Sequence, residues 1–93
     1  MNALPDDAVC YRTTEVFTAE TLPAGLRKVH STKAGVWGEV KLLAGTARFR
    51  FLPEGTEVAL RAGDVVVAGP QHEHELLPGP GMQVQIAFWR RPA

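Results

Sequence analysis

Apolar and polar positions alternate with a period of two through most of this chain, the spacing of strands that bury one face. The clearest case is Thr46 to Phe51. Ala47, Phe49 and Phe51 alternate there with Thr46, Arg48 and Arg50, which predicts an antiparallel strand with inward aromatics and outward arginines. In the preceding stretch Val36, Gly38, Val40 and Leu42 share the inward face, and Trp37, Glu39, Lys41 and Leu43 share the other. Leu43-Ala44-Gly45-Thr46 between the two reads as a hairpin turn. The last strand, Met82 to Trp89, sets Met82, Val84, Ile86 and Phe88 against Gln83, Gln85, Ala87 and Trp89.

Shorter extended stretches fill the remainder. Val9 to Thr14 is rich in residues that favour strands and reads as an edge strand; Leu26 to His30 rises with imperfect alternation, Leu26, Lys28 and His30 on one face and Arg27 and Val29 on the other, and Thr56 to Leu60 is a further short strand. Val65, Val66 and Val67 are consecutive and β-branched, which predicts a strand covered on both faces. Glycine and proline punctuate the chain at Pro23-Ala24-Gly25, Leu52 to Gly55, Arg61 to Asp64 and Pro78 to Gly81. Thr18 to Pro23 is the one helix-like hint, a capped turn that Pro23 ends. About seven to nine short strands between regular turns predict an all-β chain, a sandwich or a barrel. Residues 1–93 form one domain, with 1–8 as a loose N-terminal arm.

Composition narrows the function classes. Ten basic and ten acidic side chains cancel, so no net field draws the chain to nucleic acid or to anionic lipid. No apolar run approaches a membrane span, and the N-terminus lacks the pattern of a secretory signal; the expected location is cytoplasmic. Cys10 is the only cysteine, which excludes an internal disulfide and a thiolate zinc site. No phosphate-binding loop, dinucleotide fingerprint or nucleophile elbow is present, so no nucleotide cofactor is expected.

Two histidine loops carry the candidate chemistry. His30-Ser31-Thr32-Lys33 opens the strand at Val36, and Gly69-Pro70-Gln71-His72-Glu73-His74 lies further along the chain. A sheet that folds back on itself brings them to one site. Thr32 and Lys33 are placed to meet an anionic ligand at a pocket mouth, Trp37 to stack on a ligand or pack against a neighbour, and Gln85 to line a pocket or face solvent.

At these loops the sequence resembles a cupin. Gly63 and His74 have the separation of the first glycine and the histidine of the second cupin motif, with Pro70 displaced by one position. Gly45 fits the last position of the first motif, which puts Gly38 where that motif has a glutamate, and His30 and Thr32 near its His-x-His pair. More narrowly, the chain is similar to the small TehB-like or YeaR-like family associated with tellurite resistance. Tyr11-Arg12-Thr13-Thr14, Phe17, Pro23-Ala24-Gly25, His30 to Lys33, Gly35-Val36-Trp37-Gly38, Gly45, Pro70-Gln71, His74 and Gln85 to Phe88 carry that similarity.

The resemblance implies a cupin-like (RmlC-like) jelly roll, either a β-barrel or a double-stranded β-sandwich, and a homodimer. It implies a pocket in which His30 and His74 converge on a divalent metal such as Zn, Fe, Ni or Mn, with Gln71, His72 and Glu73 as further ligands. Thr32, Lys33, Trp37, Gly38 and Gln85 would form the ligand pocket. Some relatives carry a methyltransferase after this domain, and this chain is too short to hold one. Three functions remain open: a small-molecule or ion-binding module, a metal-dependent oxygenase or hydrolase, and a dimerisation domain with a vestigial pocket.

Overall fold

The computed structural model describes residues 3–28 and 30–92. Its strands are β1 (Val9–Thr13), β2 (Phe17–Thr18), β3 (Val36–Ala44), β4 (Thr46–Phe51), β5 (Thr56–Arg61), β6 (Val65–Ala68), β7 (His74–Pro78) and β8 (Gln83–Arg90). The helix α1 (Ala24–Arg27) separates β2 from β3. All pairings between these strands are antiparallel, in one sheet ordered β1-β8-β3-β6 with β2 also on β8, and a second ordered β5-β4-β7. No ladder between the named strands joins the two sheets. The closed-barrel form of the expectation is therefore not met, and the domain is a pair of sheets sharing one core. No helix among the described residues is long and apolar enough to cross a membrane.

The period-two pattern locates that core. On the first sheet the inward residues form rows across strands: Ala68, Gly38 and Phe88, then Val66, Val40 and Ile86, then Leu42, Val84 and Phe17. On the second sheet the facing rows are Phe51 and His74, then Val58, Phe49 and Leu76, then Leu60, Ala47 and Pro78. Phe49, Leu42, Val66 and Val84 are fully buried. The outward arginines of β4 meet carboxylates on both neighbouring strands: Arg48 pairs with Glu57 at 3.0 Å, and Arg50 with Glu75 at 2.9 Å. Exposed pairs of this kind add little stability, but they match cross-strand charge and favour this register.

Four local expectations change. Leu43 to Thr46 is not a hairpin, because β3 pairs with β6 and β8 while β4 pairs with β5 and β7. The chain crosses from one sheet to the other at Gly45, just past a bulge at Leu43 that bends the strand. Val65 is 48% exposed and Val66 1%, so β6 alternates rather than being covered on both faces; it is an edge strand of its sheet. Leu26 lies in α1 rather than in an extended rise, and among the described residues of that stretch only His30 makes a β-bridge; the face assigned to Val29 lies outside the described residues. β7, whose Pro78 ends it, had no counterpart in the sequence reading. The described part of the N-terminal arm is tied down by Asp7, which accepts from Arg91 Nε at 3.1 Å.

The crossing at Gly45 gives a direct test. Gly45 has φ 70°, and a Cβ there would collide with the Gly81 carbonyl, whereas Gly55 has the same φ and open space around it. Gly55→Ala should cost only the left-handed backbone penalty, roughly 1–2 kcal/mol. Gly45→Ala should cost that plus the collision, about 3 kcal/mol or more in total. Urea unfolding of the two variants measures the difference, and equal losses would refute the packed corner.

Candidate functional site

His30 and His74 form an antiparallel bridge in which each backbone N–H donates to the other's carbonyl at 2.9 Å. Directly opposed residues of an antiparallel pair project to the same face. The two rings accordingly meet edge to face, with centroids 4.3 Å apart and planes at 72°. Phe49 stacks against the other side of His74 at 5.1 Å. The two histidines, well separated along the chain, are thus neighbours in the inner layer of the second sheet.

Their hydrogen bonds define the chemistry. His74 Nδ1 lies 2.7 Å from the His72 carbonyl, and His30 Nδ1 lies 2.9 Å from the Lys28 carbonyl. A carbonyl only accepts, so each Nδ1 carries the proton when these bonds form. The two Nε2 atoms then face each other at 3.0 Å. Three contacts call for three N–H groups, and two neutral imidazoles supply two. All three are satisfied when the pair carries one further proton, or when a cation is held at the Nε2 atoms. Burial pushes His74 down to about 4, against the raising effect of its bond to the His72 carbonyl. At neutral pH His74 is therefore neutral, offering its Nε2 lone pair.

Beside the pair lies a cavity of about 380 Å³ between the sheets. It opens where two small inward residues, Ala68 and Gly38, are register partners on adjacent strands. The opposite wall is Phe49 and Leu76, the floor Val40 and Ile86, and His30 and His74 close one side. Thr32, Lys33 and Gly38 line the cavity. The Thr32 hydroxyl sits 2.7 Å from the Val36 carbonyl and 3.1 Å from the Gly69 carbonyl, fastening the first histidine loop to the second.

The other candidates lie elsewhere. His72 turns its ring to Glu54, with Nε2 2.8 Å from a carboxylate oxygen, and packs on Phe51 at 4.7 Å. That hydrogen bond holds the Glu54 carboxyl below its ordinary range. Gln71 is exposed in the left-handed region at φ 57°, where it makes the turn between the loops, and Glu73 is exposed. Gln85 donates to the Thr14 carbonyl at 2.9 Å. Trp37 sits opposite Trp89 in the β3–β8 ladder, away from the cavity. For a metal, the site therefore offers two imidazoles held from behind by carbonyls, as metal-ligating histidines commonly are. Among the described residues no group of three His, Cys, Asp or Glu converges.

The pattern did not point to Tyr11 and Arg12, which also line the cavity. A bulge in β1 opposite Phe88 inserts Tyr11 ahead of Arg12, a one-residue irregularity that strand periodicity does not encode.

Residues 12–86 match the model of the TehB-like domain. Two curated proteins, both named probable S-adenosyl-L-methionine-dependent methyltransferase TehB and from two strains of Haemophilus influenzae, are 33% identical over 55 residues. The match takes in 59% of this chain, which spans only 19% of those relatives. A crystal structure of a protein from E. coli (strain K12) superposes with a TM-score of 0.91 at 20% identity, covering 100% of both chains. The crystal structure of TehB from Haemophilus influenzae gives 0.84 at 24% identity, covering 92% of this chain and 32% of that one. At these identities the two structures establish the fold.

The depressed His74 has a consequence for stability. In the unfolded chain this imidazole takes up a proton near 6.5, and in the folded one only near 4. The unfolded state thus binds more protons between these values, and stability is full above the upper one and falls as pH drops through the window. Urea-unfolding free energies should fall by up to about 3 kcal/mol more in the native protein than in His74→Gln between pH 7 and pH 4. Parallel profiles for the two proteins would show that His74 is not the group responsible.

Proposed function

Because the chain belongs to the TehB-like family, we propose that it is a small-molecule-binding module whose ligand enters the cavity beside His30 and His74. The observation that carries this reading is the void itself. A concave, largely apolar space of this size with a few convergent polar groups, the imidazole pair among them, has the character of a small-molecule site. The strand orders β1-β8-β3-β6 and β5-β4-β7 support assigning the pair of sheets to the cupin-like jelly roll, with the His30 bridge beside β7 replacing a fourth strand of the smaller sheet. The family's association with tellurite resistance suggests a role in a resistance response in the cytoplasm. Methyl transfer belongs to the name of the longer relatives, and nothing in this pocket calls for it.

A second reading is favoured by the two facing Nε2 atoms. Their 3.0 Å separation is close to that of two adjacent ligands on one metal at Zn–N distances of about 2.0–2.1 Å. Such a metal would have two protein ligands and open positions for water or a substrate.

The two readings are tested separately. Phenylacetamide, an uncharged probe, should shift the backbone amide resonances of Gly38, Ala68 and Phe88 at millimolar concentration. Ala68→Phe, which fills the cavity, should abolish those shifts while the protein stays folded. Persistence of the shifts in Ala68→Phe would place the probe elsewhere and remove the reading. Calorimetric titration with zinc should show stoichiometric binding, lost in both His30→Ala and His74→Ala, only if the metal reading holds.

A further inference from the structure

We propose that the cavity selects a small organic anion, a carboxylate carrying an apolar body, and that Arg12 is the residue that sets this preference; the inference rests on the binding-module reading above. The chain as a whole is neutral, with ten basic and ten acidic residues. The cavity is not. Among the described residues its lining includes the cations Arg12 and Lys33 and not one aspartate or glutamate.

The described carboxylates near other cations are already engaged elsewhere. Glu57 and Glu75 hold Arg48 and Arg50, Asp7 holds Arg91, and Glu39 accepts from Trp89 and sits beside Lys41. Neither Arg12 nor Lys33 has an ion-pair partner among the described residues. Arg12 instead stands with its guanidinium 5.8 Å from the centre of the Phe88 ring, in the row that continues into Gly38 and Ala68.

The β1 bulge explains how the cation comes to be there. In a regular strand Tyr11 and Arg12 would point to opposite faces. The extra residue opposite Phe88 breaks that alternation, and both side chains line the cavity. Behind this cationic mouth the surfaces are hydrocarbon: Val40, Phe49, Leu76 and Ile86. A ligand matching both zones has a negative head toward Arg12 and Lys33 and an apolar body between the sheets. An inorganic oxyanion satisfies the first zone only, and a neutral apolar molecule only the second.

Titration followed by amide resonances at pH 7 and low salt decides the matter. Phenylacetate should bind at least tenfold more tightly than phenylacetamide, and at least tenfold more tightly than sulfate or tellurite. In Arg12→Gln the advantage of phenylacetate over phenylacetamide should shrink to less than threefold, while Arg48→Gln, on the far face of the other sheet, should keep it. Equal binding of acid and amide by the native protein would overturn the anion preference and leave the small-molecule pocket standing. An oxyanion binding as tightly as phenylacetate would overturn the apolar-body requirement. An unchanged ratio in Arg12→Gln would remove Arg12 from the assignment. No shift with either aromatic probe would sink this inference together with the reading beneath it.

Discussion

The paired backbone hydrogen bonds between His30 and His74 hold this architecture's functional half in register. A single such bond contributes only about 1 kcal/mol net, so their importance is positional. They dock the loop before β3 onto the start of β7, and Thr32 repeats the attachment two residues later through the Gly69 carbonyl and the Gln71 N–H. In an antiparallel pair a slip of one residue sends a side chain to the opposite face. Moving either loop by one position would thus turn an imidazole to solvent and open the cavity wall. The side-chain chemistry is a consequence of backbone pairing.

A pocket of this size leaves one end of a small domain thinly packed, and the inward rows show where bulk lies instead. Away from the cavity, Leu42, Val84 and Phe17 fill an inward row of the first sheet, with nearly complete burial at Leu42 and Val84. Next to it, Phe49 bridges the two regimes, packed against Phe51 and His74 on one sheet. The sequence thus places bulk at one end of the sandwich and removes it at the other, where Gly38 and Ala68 are neighbours. Close packing at the first end supplies the stability on which the emptier end depends.

Much of the fold was legible because one buried face writes itself into a strand as a period of two. The inward sets of β3, β4 and β8 follow from that rule alone, and the capped turn at Thr18, where Leu22 N donates to Thr18 O at 2.9 Å, follows from local residue chemistry. What periodicity does not hold is which strand a strand pairs with. Leu43 to Thr46 has the residues of a hairpin, and the difference between hairpin and sheet crossing is decided by Pro80 and Gly81, which pack against Gly45 from far along the chain. The site divides in the same way. His30, Thr32, Lys33, Gly38 and His74 all reach the cavity from loops and inward positions that can be read locally. Gln85 and Trp37 went to other partners, and His72 to Glu54, because alternation along a loop does not survive a left-handed residue such as Gln71. Arg12 was missed for a related reason, a bulge that shifts the phase of β1.

The comparisons bear on whether such a pocket can work alone. The same fold fills the whole of the E. coli chain and 32% of the Haemophilus TehB chain, so it occurs both as an entire chain and as part of a larger one. In the present chain the cavity is lined by strands and loops of both sheets. The chemistry available here is that of a cavity with two nitrogen donors, a cationic mouth and a hydrocarbon interior. The function proposed for this domain draws on those three properties, whatever activity resides in the remainder of its longer relatives.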